Sequence, residues 1–218
     1  VVNLQFKNSS NDITKAYNVS YTVTDGGDAV SHTDNLAGYG ILARYQTPDT
    51  SNINVSVRGK VVSYNPGNAT TIKLMRGGKK MYQTTIAATT GSGQVAQNFS
   101  FPAVAAGTYD LVVTKDAHLS YTVKGVVVGD GPLDLTTMTG KAYQTITLLC
   151  GDIDGNGFIN STDLGIILKG QNYGKSTATA GDKAADLDGN GFVNSTDLGI
   201  VLQGQHYGKS AVSVNFGE

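Results

Sequence analysis

One duplication limits the folds open to this chain more than any other feature. The segment Gly151–Lys175, GDIDGNGFINSTDLGIILKGQNYGK, returns 34 residues later as Ala185–Lys209, ADLDGNGFVNSTDLGIVLQGQHYGK, with six differences. Three of them are mild exchanges, Ile153/Leu187, Ile159/Val193 and Ile167/Val201. Sequences this close are expected to fold as two copies of one unit related by a pseudo-twofold axis. A site found in one copy is therefore expected in both.

Each copy holds Asp and Asn at alternating positions. Counting from Asp152 as the first place, Asp154 is third, Asn156 fifth, Phe158 seventh, Asn160 ninth and Asp163 twelfth. The second copy places Asp186, Asp188, Asn190, Phe192, Asn194 and Asp197 identically. Calcium takes about six to eight oxygen ligands, and this spacing wraps carboxylates, amides and one backbone carbonyl around such an ion. At the seventh place the carbonyl is the ligand, so the Phe side chains are no obstacle; Asn160 and Asn194 coordinate through a water. Gly157 and Gly191 occupy the sixth place, where the loop turns sharply. The twelfth place is Asp rather than the usual Glu, a shorter reach to the metal. Asx turns in a Gly-rich loop are the bland alternative, but two full twelve-residue matches argue for two Ca2+ sites.

Upstream of Asp152 the chain reads KAYQTITLLCG, a strand pattern rather than an entering helix. Downstream, Leu164, Ile167 and Leu168 stand at helical spacing and gather on one side, expected to be core against Leu198, Val201 and Leu202. Gly174 is the expected helix stop, and Ser161 and Ser195 the expected caps. The unit is loop then helix, twice. A second stripe joins Thr162, Ile166, Lys169 and Tyr173, repeated as Thr196, Ile200, Gln203 and Tyr207. In so small a module these apolar residues serve either partner contact or a thin core. Gly165, Gly170, Gly199 and Gly204 flatten the helices and permit close approach of another backbone.

These features resemble a dockerin, the calcium-dependent docking module of cellulosomal and amylosomal systems, over about residues 150–210. Dockerins carry two loop–helix segments with a Ser-Thr pair just before the last loop Asp, here Ser161-Thr162 and Ser195-Thr196. The resemblance implies a cohesin partner whose sheet face meets the helices, docking on either copy, in an extracellular complex at a bacterial cell surface. Lys169 against Gln203, and Asn172 against His206, are the differences able to bias the choice, with His206 expected to be exposed.

Residues 55–149 read as β throughout: 55–63, 70–76, 81–87, 95–101, 108–114, 121–128 and 143–149, bounded by turn signals such as NPGN and RGGK. Seven short strands argue for an antiparallel Ig-like sandwich. The stretch FSFPAVAAGTYDLVVTKDAHLSYTVKGVVVG is similar to carboxypeptidase-regulatory-like and X modules, which often precede dockerins, and implies a stabilising spacer. Residues 1–50, with VVNLQFKN and AYNVSYTVTDGG as a hairpin, either end a preceding β module or complete the sandwich. The organisation expected is thus 1–50, a sandwich at 51–149, the loop–helix module at 150–210, and a tail at 211–218 whose Val212, Val214 and Phe216 alternate like a strand beside Leu148-Leu149. The best boundary lies at Pro48–Asn52.

A net charge of −1 with 15% charged residues excludes an electrostatic footprint for nucleic acid or anionic membrane. The lone Cys150 rules out an intrachain disulfide and is expected to be a buried, inert thiol. Because a strand pattern is already under way at Val1, a piece of a longer secreted protein is expected. Catalysis has no motif to rest on. His32, His118 and His206 are isolated in sequence, and Asp110, Asp116, Asp130 and Asp134 fall at strand ends and turns. A non-enzyme is expected. The rivals are a glycoside hydrolase fragment and a carbohydrate-binding β module, the latter using Tyr39, Tyr45, Tyr64 and Tyr82 in place of the absent Trp.

Overall fold

The computed structural model describes residues 54–218 in full and, before them, the backbone of residues 2–7, 13–19, 35–36 and 39–41. The boundary expected at Pro48–Asn52 and the side chains of Tyr39, Tyr45 and His32 lie outside the described residues. The chain divides into two compact units, Val1–Asp49 and Thr50–Glu218. In the first, β1 (Val2–Lys7) and β2 (Ile13–Val19) form the expected antiparallel hairpin with Leu4 opposite Tyr17. With β3 (Asn35–Leu36) and β4 (Tyr39–Ile41) they make one sheet of order β2-β1-β4-β3.

The second unit joins a β-sandwich to a small helical module, as the strand alternation and the repeat predict. One sheet pairs β5 (Asn54–Tyr64) with β8 (Gln94–Ala105), antiparallel along their whole length. The other runs β15-β10-β9-β6-β7, from β6 (Thr70–Arg76), β7 (Lys79–Ile86), β9 (Gly107–Thr114), β10 (Tyr121–Val128) and β15 (Val212–Asn215). Alternate residues turn inward, as a pleated strand requires: Val57 and Val61 from β5, Ile72 and Leu74 from β6, Tyr109, Leu111 and Val113 from β9. In β10 the inward side chains jump from Val123 to Val126. A bulge absorbs the extra residue at Gly125, whose φ is +71° and whose N–H donates to Asp110 Oδ1 at 2.9 Å. Asp110 thus has the backbone role expected of it.

The last expected strand, 143–149, shrinks. β11 (Leu133–Asp134) and β12 (Ile146–Thr147) each contribute two residues parallel to β5. The chain beyond stays extended because its alternate residues pass from one core to another. Ile146 and Leu148 are buried in the sandwich, and Cys150 in the core of the helical module. Cys150 is fully buried as expected, and burial pushes its thiol far above the ordinary range.

The tail is a strand, but not beside Leu148-Leu149. β15 runs parallel to β10, Val212 opposite Tyr121 and Asn215 opposite Lys124. Phe216 stacks on Tyr143 with ring centroids 5.2 Å apart, and the Gly217 N–H donates to Tyr143 Oη at 2.9 Å. The tail therefore ties the far end of the helical module back onto the sandwich.

Candidate metal loops and docking face

The two helices, α1 (Ser161–Leu168) and α2 (Ser195–Leu202), begin directly after the loops. Their caps are Asn160 and Asn194, not the serines. Asn160 Oδ1 accepts the Thr162 N–H at 2.8 Å, and the Asn160 N–H donates to Asp163 Oδ2 at 2.9 Å. Asn194 and Asp197 repeat this box. Each helix stops at its Leu, well before Gly174. The chain turns at Lys169 and Gln203, and a side chain four residues past the helix end donates to an Ile carbonyl of the last turn. Asn172 Nδ2 donates to Ile166 O at 2.6 Å, and His206 Nδ1 donates to Ile200 O at 2.9 Å. His206 is thus fully buried rather than exposed, and does the same work as Asn172.

The spacing brings the carboxylates together. Asp152, Asp154 and Asp163 each offer an oxygen within 4.8 Å of the others, and so do Asp186, Asp188 and Asp197. Asp163 and Asp197 are fully buried and draw the loops inward: Asp163 Oδ1 accepts the N–H groups of Ile153 at 2.8 Å and Asp154 at 3.3 Å. Asn156 and Asn190 donate to Asp154 and Asp188 while accepting the N–H groups of Phe158 and Phe192 at 2.9 Å. The two Phe side chains point outward, and Gly157 and Gly191 have φ of +85° and +92°. Burial, reinforced by the neighbouring carboxylates, raises the pKa of Asp152, Asp186 and Asp197. The buried Asp152 Oδ1 has no hydrogen-bond partner. Hard oxygens, mutual repulsion and an orphaned carboxylate oxygen all fit a divalent cation.

The helix surfaces differ from the wheel reading. Ile200 is 3% exposed and Ile166 packs against the same core, so this pair belongs to the interior. Leu168 and Leu202, expected inside, are 55% and 53% exposed. The open face of α1 is Ser161, Thr162, Gly165, Leu168 and Lys169; that of α2 is Ser195, Thr196, Gly199 and Leu202. Tyr173 and Tyr207 are exposed beyond the helix ends.

The sandwich packs on the second copy. Leu119 is buried in the helical core, with Tyr64 and Ala117 against it. Tyr64 meets His206 edge-on, and Gln203 Nε2 donates to Tyr64 Oη at 3.4 Å. His118, far from His206 in sequence, belongs to the same junction. Its Nδ1 donates to Asp116 O at 2.8 Å and its Nε2 accepts the Tyr64 N–H at 3.2 Å, a neutral ring on both counts. Burial first, then the charges of Lys115 and His206, lowers its pKa to about 4. Lys115, itself lowered to about 8 by burial, donates to Ser63 Oγ at 3.1 Å.

A pH dependence follows. The folded pKa of His118 lies below its ordinary 6.5, so its contribution to stability is complete above that value and is lost as pH falls towards 4. His118→Gln keeps an acceptor for the Tyr64 N–H without a titrating ring. In denaturant titrations with calcium, the stability of the unaltered chain relative to this variant will fall by roughly 2–3 kcal/mol between pH 7 and pH 4. A constant difference across that window would show that the His118 ring is not held neutral.

Residues 150–203 match the protein-family model described as Dockerin type I domain. This region is a dockerin. No curated protein matches the chain. Among solved structures, a type II cohesin–X–dockerin complex from Acetivibrio cellulolyticus, in a C-terminal interface mutant, is similar at 22% identity and a TM-score of 0.53. The match covers 72% of this chain and 97% of that one. The N-terminal interface mutant of the same complex matches at 23% identity over the same shares, with a TM-score of 0.48. At such identity the likeness speaks to the fold alone, a β-sandwich followed by a small two-helix module.

Proposed function

We propose that this chain is a calcium-dependent docking module that anchors its parent protein to a cohesin, in an extracellular polysaccharide-degrading complex at a bacterial cell surface. The observation that carries this reading is the pairing, in each copy, of a carboxylate triad with an open Ser-Thr-Gly-Leu helix face. Two Ca2+ ions would be held by Asp152, Asp154, Asn156, the Phe158 carbonyl, Asn160 through a water, and Asp163, and by their counterparts Asp186, Asp188, Asn190, the Phe192 carbonyl, Asn194 through a water, and Asp197. The ions supply positive charge that offsets carboxylate repulsion; the chain's own Asp163 and Asp197 then fix where each helix starts. Ser161, Thr162, Leu168, Lys169 and Tyr173, with Ser195, Thr196, Leu202, Gln203 and Tyr207, would meet the partner.

The sandwich of residues 51–149 acts as a spacer that stabilises and orients residues 150–210, with the tail from 211 returning onto it. Its role is non-catalytic. The described tyrosines that a sugar platform needs are used in packing: Tyr64 against His206, and Tyr82 edge-on to Tyr109 with its hydroxyl accepting the Ala105 N–H at 3.1 Å. Among the described residues no helix is long and apolar enough to cross a membrane. Calorimetric titration with a panel of cohesins tests the proposal: one-to-one binding in calcium that vanishes in EGTA is expected. Calcium uptake with no cohesin bound would reduce the loops to structural elements.

A further inference from the structure

The repeat contains its own control. The two metal loops share the sequence Asp-Gly-Asn-Gly at 154–157 and 188–191, yet they sit in different surroundings. At Gly155, φ +70°, a Cβ would meet nothing within 4 Å. At Gly189, φ +74°, it would lie 2.5 Å from Asn65 Oδ1. The sandwich has closed onto the second loop at the point where the first is open.

Two sandwich residues make that closure, and both act on loop backbone. Asn65 Nδ2 donates to Asp186 O at 3.0 Å, and the Gly93 N–H donates to Asp188 O at 2.6 Å. These carbonyls belong to the first and third residues of the loop, whose side chains carry two of its three carboxylates. Asn65 and Gly93 also hold each other, the Asn65 N–H donating to Gly93 O at 3.1 Å. Asn65 takes the left-handed conformation, φ +53°, that Asn tolerates better than other side chains. A rigid turn thus grips the loop from outside.

The carboxylates register the difference. Asp186 Oδ1 accepts the N–H groups of Gly189 at 3.0 Å and Asn190 at 3.2 Å, and its Oδ2 that of Gly191 at 2.9 Å. Asp152 accepts Gly157 N–H through Oδ2 at 3.1 Å, but its buried Oδ1 has no partner. Asp188 is buried while Asp154 is exposed. The first loop is bordered instead by the tail, through Ile159 N–H to Lys209 O and Gly208 N–H to Ile159 O, contacts that have their own counterpart in the second copy at Gly174 and Val193. The sandwich also touches the first copy, where the Gly151 N–H donates to Ala117 O at 2.8 Å, but that contact precedes Asp152, and the grip on the carbonyls of the first and third loop residues has no equivalent there.

We propose that Asn65 and Gly93 are positioning residues for the second metal loop, so that the loops fill in order, Asp186–Asp197 before Asp152–Asp163. This rests on the calcium reading above. A loop whose backbone is already fixed loses less conformational freedom on binding, and that saving appears as affinity. The sandwich is then part of one metal site rather than a passive spacer.

The test uses the full chain, labelled with 15N-glycine and titrated with calcium in chelator buffers. The amides of Gly157 and Gly191 report each loop separately. In the unaltered chain Gly191 will reach half its shift at roughly tenfold lower free calcium than Gly157. Asn65→Gly accepts the left-handed backbone without strain but removes the amide. It will raise the Gly191 midpoint by roughly five- to tenfold, about one hydrogen bond's worth, and leave that of Gly157 in place. General destabilisation would move both. Coincident midpoints in the unaltered chain, or Gly157 filling first, overturn the proposal while leaving calcium-dependent docking intact. No shift at either glycine in millimolar calcium overturns both.

Discussion

Excess EGTA will unfold residues 150–210 and leave the sandwich strands folded. Each loop holds three carboxylates within 4.8 Å of one another. At an effective dielectric of about 20, each charge pair at this distance costs about 3.5 kcal/mol, comparable in sum to the whole stability of a small domain. Against this the helical module sets two helices of eight residues, too short to stand alone, and a core of nine buried side chains, one of them Leu119 from the sandwich. The sandwich core has nineteen buried residues, and none comes from beyond Leu148. The two parts should therefore separate in stability once the cation is gone. Hydrogen exchange with and without EGTA reads this segment by segment. Amides of Asp163–Ile167 and Asp197–Val201 will lose protection, those of β5, β6 and β9 will keep it. Helices that remain protected in EGTA would mean that packing on Tyr64, Leu119 and β15 suffices without metal.

The metal loops were legible because ligation is local: twelve consecutive residues supply every side chain, so spacing alone identifies them. The long strands were legible for a related reason, since burial on one face imprints a period of two. What the sequence hid was longer in range. Leu168 and Leu164 share a face on a wheel, but α1 ends at Leu168 and the chain turns away, so Leu168 projects past the core that covers Ile167. His206 reads as a polar surface residue until Tyr64 is placed beside it, and only then is its likeness to Asn172 visible as a shared bond to a helix carbonyl. The alternation of Val212, Val214 and Phe216 announced a strand. Its partner did not follow, because a parallel edge pair has no turn to fix its register. Cys150 sits where the two cores meet, and nothing in its neighbours marks the passage.

Replacing Leu168 and Leu202 together by Asp will reduce cohesin affinity at least 100-fold, and either change alone by much less. Each leucine ends an open face that begins with a Ser-Thr pair and is kept flat by Gly165 or Gly199, where a Cβ would meet nothing within 4 Å. A half-exposed leucine buried by a partner contributes about 1.5–3 kcal/mol, and a carboxylate forced into the same place adds a desolvation cost. Because both copies present the same residues, loss of one face leaves the other to dock after half a turn. Ser161-Thr162 and Ser195-Thr196 should behave the same way, little changed singly and lost together. The faces are not fully equal, since Gln203 is held by Tyr64 while Lys169 is exposed. The α1 face should therefore be the stronger of the two, and Leu168→Asp the more costly single change. Calorimetry with one cohesin in calcium, after circular dichroism confirms that each variant folds, measures this directly. Full loss from one single-copy change and none from the other would leave a single docking mode. Retention of binding in the double variant would remove these faces from the interface, and the exposed Tyr173 and Tyr207 would then be its next candidates.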